Sequence, residues 1–87
     1  MYVILVYDVK EKRVSKMLKL CRMYLCWIQN SVFEGEISES KLKELISKMK
    51  AIMDADEDSV ILFCNKMSYN MNKQIIGKEK MSTENFL

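Results

Sequence analysis

A change of period near the start constrains this chain more than any other feature. Tyr2 to Tyr7, "YVILVY", is an unbroken apolar run that ends at Asp8. Such a run reads as a strand apolar on both faces, and so central in its sheet. From Lys12 to Leu25 the apolar positions recur at helical spacing instead. Val14, Met17, Leu18, Cys21, Tyr24 and Leu25 fall on one side of the helix. Lys12, Lys16 and Lys19 fall on the opposite side, with Arg13 and Arg22 on the flanks. No acid in that helix after Glu11 balances them.

The alternation of periods continues. Trp27 to Ile37, "WIQNSVFEGEI", is β-rich and interrupted. Asn30-Ser31 reads as a bend or as the turn of a tight hairpin, and Gly35 as a bulge or a close backbone contact. Ser38 is a good N-cap with Glu39 in the first turn. Leu42, Leu45, Ile46, Met49, Ile52 and Met53 then predict a second amphipathic helix. It ends in the acidic stretch "DADED". Val60 to Cys64 predicts another buried strand, and Tyr69 to Ile76 a weaker one before Gly77.

The expected order is therefore strand, helix, one or two strands, helix, strand, strand. At 87 residues this is one domain, able to bury roughly 60% of its unfolded surface. Two amphipathic helices must cover a sheet, and one layer of each suffices at this size. The expected fold is α+β: a ferredoxin-like two-layer sandwich (βαββαβ) with an additional C-terminal strand or tail. Residues 1–80 form the expected domain and 81–87, "MSTENFL", the tail. A domain this small gains stability from a second copy of itself. The uncovered sheet face and the late edge strand are its natural contact surfaces.

Composition narrows the chemistry. Hydrophobic residues make up 49% of the chain and proline is absent, as in a packed globule. No apolar run is long enough to span a membrane, and the apolar N-terminus lacks the marks of a signal peptide. Cys21, Cys26 and Cys64 are odd in number and show no C-x-x-C spacing, and there is no histidine to complete a zinc site. Buried thiols in a reducing cytoplasm are the expectation. The net charge of +2 says little by itself. The absence of histidine says more: a histidine-pair ribonuclease mechanism and a His-assisted nucleophile are both excluded. Any cleavage would need a carboxylate or a metal-activated water as base.

Asp8 admits two readings. It can be a capping or turn carboxylate between strand and helix. It can also be a ligand for a hard cation at the carboxyl end of a central strand. One carboxylate holds Mg²⁺ poorly, but a two-fold dimer would bring two copies of Asp8 together. Their mutual repulsion would be relieved by a shared divalent cation. The basic stripe of Lys12, Arg13, Lys16, Lys19 and Arg22 is either a solvated face or a phosphate-backbone surface. Lys66, Lys73, Lys78 and Lys80 continue the bias. "DADEDS" matches the first three ligand positions of a calcium loop at Asp54, Asp56 and Asp58, then fails at the glycine and glutamate positions. The aromatics raise RNA stacking on a sheet, but the K/R-G-F/Y-G/A-F-V-x-F/Y pattern is absent, and Phe33 reads as core or interface.

Taken together, "YVILVYDV", "KRVSKMLKLCRMYL", "IQNSVFEGEIS", "KLKELISKMKAI", "DEDSVILF" and "IIGKEKMSTENFL" resemble the small CRISPR-associated endoribonuclease family, the second Cas protein and non-integrase partner in spacer acquisition. The resemblance runs nearly end to end and is most specific at Tyr7-Asp8, at Gln29 to Gly35, and at the aspartate-led third strand. It implies a ferredoxin-like homodimer in which C-terminal strands complete the partner's sheet. It implies that Asp8 of each subunit faces the other across a cleft and binds Mg²⁺ or another divalent cation as the catalytic ligand for phosphodiester cleavage in RNA or DNA. Tyr7, Ser31 and Phe33 match positions near that cleft, and Arg13 a basic position early in the first helix. A complex with Cas integrase dimers that grips spacer double-stranded DNA is also implied, with the tail as a contact. A metal-dependent endonuclease and a non-catalytic scaffold bridging the integrase dimers are thus the two leading expectations. A small-molecule regulatory module is the third, and no Gly-rich ligand loop supports it.

Overall fold

The computed structural model describes residues 1–65 and 72–78. Along the chain run β1 (Tyr2–Asp8), α1 (Glu11–Arg22), β2 (Cys26–Gln29), β3 (Val32–Glu36), α2 (Glu39–Ile52), β4 (Ser59–Asn65) and β5 (Asn72–Gly77). The strands form one antiparallel sheet in the order β2-β3-β1-β4-β5. The α+β ferredoxin-like sandwich is therefore observed, and the interrupted segment after α1 is a hairpin. Asn30 takes a left-handed backbone, φ 46°, which an asparagine tolerates in a two-residue turn. The 81–87 tail, Lys66, Lys80 and the first residues of the Tyr69–Ile76 expectation lie outside the described residues.

The apolar run of β1 makes it the central strand. Val3, Leu5 and Tyr7 point to the helices, where they meet Met17, Leu20 and Cys21 of α1 and Leu42, Leu45 and Met49 of α2 in one core. Phe33, Val60, Leu62 and Ile76 supply the same face from the flanking strands. The alternate residues turn away from the helices. There Val6, Ile61 and Phe63 are buried, while Ile4, Val32 and Ile75 are half-buried. Both faces of the central strands are apolar, as the unbroken runs require.

Three local expectations shift. The first helix stops at Arg22, and Met23 caps it through bonds to the Cys21 and Leu20 carbonyls. Tyr24 and Leu25 belong to the turn into β2, though Leu25 still reaches the core. Gly35 is not the bulge. It pairs in register with Val3, and the irregularity falls between Trp27 and Gln29. Cys26 is exposed rather than buried because β2 is an edge strand. Ser38 does cap α2: its Oγ accepts the Lys41 N–H at 3.1 Å.

Candidate functional site

Asp8 is the last residue of β1, exposed, and lies across from Ser59 of β4. Strand alternation puts it on the sheet face away from the helices, in line with Ile4 and Val6. The Ser59 hydroxyl beside it is buried and has no hydrogen-bond partner among the described residues. A shallow hollow of about 300 Å³ opens at Asp8, lined by Tyr7, Val9, Val14, Asn30 and Ser31. The hairpin turn is held against it because the Tyr7 N–H donates to the Ser31 carbonyl at 3.2 Å. Asp8, Tyr7 and Ser31 are thus brought together by β1 and the β2–β3 turn.

Of the residues expected at a cleft, Phe33 alone does not line the Asp8 hollow. Phe33 is fully buried on the helix side of the sheet and stacks on Tyr7, with ring centroids 5.9 Å apart. It turns away from the Asp8 hollow, because β3 alternation points it inward opposite Leu5. The Tyr7 ring shares that burial, which pushes its hydroxyl pKa up to about 12, with Cys21 contributing second. Tyr7 therefore reaches the hollow at its edge while its ring packs in the core.

Arg13 also departs from expectation. Its guanidinium does not join the solvent-facing stripe. Nε donates to the Asp58 carboxylate, and Nη2 donates to Asp58 Oδ1 at 3.0 Å and Glu57 Oε1 at 3.1 Å. Asp58 is fully buried. It also accepts the Lys10 N–H at 2.9 Å and the Asp54 N–H at 2.8 Å. Burial pushes its pKa up, but the Arg13 bond and the two backbone N–H groups outweigh that and hold the carboxyl at about 2. The Asp58 bond in turn raises the Arg13 pKa. Three of its five N–H donors are committed to these two carboxylates, which largely enclose and neutralise its charge. The signal was present in the sequence: Arg13 stands four residues before Met17 and seven before Leu20, on the buried side of α1.

This clamp is what the acidic stretch does. Asp54 turns the chain through its carbonyl and side chain, which accept from Asp58, Glu57 and Asp56 N–H groups. Asp58 then ties the start of α1 to the start of β4, on either side of Asp8. The stretch is thus an acidic helix-to-strand turn, and among the described residues no group of three or more carboxylate or thiol ligands could hold a metal.

Lys12, Lys16, Lys19 and Arg22 remain exposed on the outer side of α1. None lines the Asp8 hollow. Their stripe faces outward from the helix layer, whereas Asp8 belongs to the opposite sheet face. Arg22 alone has a described partner, lying over the Trp27 ring at 5.9 Å from its centroid.

Residues 1–71 match the family model of the CRISPR associated protein Cas2. The chain belongs to the Cas2 family. It is 46% identical over 87 residues, 100% of both chains, to the CRISPR-associated endoribonuclease Cas2 of Dictyoglomus turgidum. It is 48% identical over 80 residues, 92% of both chains, to that of Thermotoga maritima. A crystal structure of Cas2 superposes with a TM-score of 0.69 at 40% identity, covering 94% of this chain and 80% of the other. Streptococcus pyogenes Cas2 also gives 0.69, at 30% identity, covering 75% of this chain and 86% of that one. The Cas2 fold is thus shared. No described helix is long and apolar enough to cross a membrane.

Proposed function

We propose that this chain is a metal-dependent endoribonuclease of a CRISPR system, acting as a homodimer with Asp8 of both copies at one site. The observation that carries the reading is the place of Asp8: an exposed carboxylate at the carboxyl end of the central strand, opening on a hollow, beside an orphaned serine hydroxyl. The relatives named as endoribonucleases are similar over the whole of this stretch.

The donor set fits a hard cation of the magnesium type, which takes oxygen ligands and few carboxylates. Among the described residues one chain offers only one such carboxylate at the hollow, so Asp8 from a second copy would complete the site. A cation held there would supply Lewis acidity toward the phosphodiester. The chain's own residues do the rest. The Arg13–Asp58 clamp and the Ser59 pairing fix the strand end that carries Asp8. Asn30 and Ser31 present polar groups across the hollow. Lys12, Lys16, Lys19 and Arg22 attract the phosphate backbone and set its path over α1. With no histidine in the chain, proton transfer falls to carboxylate and water.

Asp8→Ala is expected to abolish RNA cleavage while leaving the fold and dimer mass unchanged. Turnover and mass are measured on the same preparation, and equal turnover in the variant rejects the assignment.

One observation favours a second role. The basic stripe lies apart from the Asp8 hollow, on a different surface of the sandwich, as a duplex clamp would require. In that reading the dimer bridges integrase dimers and grips spacer DNA without catalysis. Lys16→Glu combined with Lys19→Glu should then weaken duplex binding and flatten its salt dependence. Unchanged affinity and slope would make the stripe a solvated face.

A further inference from the structure

Trp27 is the single tryptophan of the chain and stands 49% exposed on the edge strand β2. Pairing with Phe33 turns it to the helix side of the sheet, beside the last turn of α1. Three features set it apart from a stray surface aromatic. Its indole N–H donates to the Asn30 carbonyl at 2.9 Å, which fixes the orientation of the ring. The Arg22 guanidinium lies over the ring. From Arg22, Lys19, Lys16 and Lys12 carry the positive charge back along α1 for about 15 Å.

We propose that Trp27 and Arg22 form a stacking subsite for one unpaired nucleobase of a polynucleotide strand whose phosphates follow the α1 stripe. A rigid, half-exposed ring offers a π-face that any base can cover, and a guanidinium at the ring strengthens such a stack. The adjoining surface is cationic, which selects a polyanion over an apolar protein segment, although Met23 and Ile28 are exposed nearby in sequence. A paired duplex hides its base faces, so the subsite takes unpaired strand. The platform is also joined to the reacting end of the molecule, because Asn30, which accepts the indole proton, lines the Asp8 hollow. The inference rests on the reading of this chain as a polynucleotide-handling protein, but not on cleavage.

The test uses the full chain as Asp8→Ala, so that strands survive, and follows the emission of its one tryptophan. Short unpaired RNA and DNA strands are titrated beside an abasic strand and a duplex of equal length. The unpaired strands are expected to quench Trp27, and the stronger quencher identifies RNA or DNA as the source. Because these variants carry no tryptophan, their binding is read from the anisotropy of end-labelled strands: Trp27→Ala should weaken it about 5- to 150-fold, and Trp27→Phe should recover most of the loss. Equal quenching by the abasic strand or the duplex overturns the proposal. So does unchanged affinity in a folded Trp27→Ala protein. A blue shift that follows protein concentration without any oligonucleotide would assign the ring to contact between copies and also overturn it. Wild-type protein that is quenched but does not cleave would remove the Asp8 assignment and leave the stacking subsite standing.

Discussion

At the scale of single residues, the most consequential side chain is Asp58, which sits inside an acidic run and looks like one charge among several. In the folded chain it is the buried member of a clamp with Arg13 and two backbone N–H groups. Removing it strands a guanidinium that is itself largely enclosed. Asp58→Ala should therefore lower unfolding free energy by about 3–5 kcal/mol, a large share of what a small domain has. Urea unfolding of the variant beside the wild type checks this. The pH dependence has a definite sign. The folded carboxyl titrates at about 2, below an ordinary aspartate, so its stabilisation is complete above about pH 4. It is lost as pH falls from there toward 2. Wild type and Asp58→Ala should converge in stability across that window. A gap that stays constant would show that the carboxylate is not the source. Asp8 stands in contrast: exposed at a strand end, its replacement should cost activity and little stability.

Among the elements, the joints carry more information than the middles. The β2–β3 hairpin brings Asn30 and Ser31 to the Asp8 hollow, and Trp27 braces that turn through the Asn30 carbonyl. Ser38 caps α2 by its side chain, so Ser38→Ala should cost about 1 kcal/mol, read as a lower Tm. Gly77 closes β5 at φ +96°, where a side chain would meet Met53 Cε at 2.8 Å and collide with the Asp58 carbonyl oxygen. That same carbonyl accepts the Lys78 N–H at 2.9 Å. Gly77→Ala is expected to destabilise by more than about 1 kcal/mol, because backbone strain and the clash act together. An unaltered midpoint in urea would mean that β5 shifts freely against β4. The sequence foretold the elements, the Ser38 cap and the Asn30-Ser31 turn, but not how these joints pack against Asp8 and Asp58. The bulge near Ile28 and the early stop of α1 follow from fitting a short edge strand beside β3, a constraint that no local window contains.

For the whole molecule, the sheet face away from the helices presents Ile4, Val32 and Ile75 half-buried around Val6, Ile61 and Phe63. Asp8 stands at the end of that face. A two-fold pairing there would bring the two Asp8 carboxylates together. Ile75→Lys should convert the proposed dimer to monomer, seen by mass at fixed concentration, and cleavage should fall with it. Cleavage that survives in a monomer would detach the chemistry from symmetry. The sequence alone determined the order of elements, the central place of β1, the core face of α2 and the place of a carboxylate at a strand end, whereas on α1 it put Val14, which is exposed, on the core side and left out the buried Leu20. Each of these follows from residues a few positions apart, where apolar period and chain geometry act locally. The tertiary structure alone decided that Arg13 takes Asp58 as its partner, that Phe33 faces the core and that Trp27 stands at the edge. Those outcomes depend on groups dozens of residues apart in sequence meeting across α1, β3 and β4, and only the packed sandwich sets which of them meet.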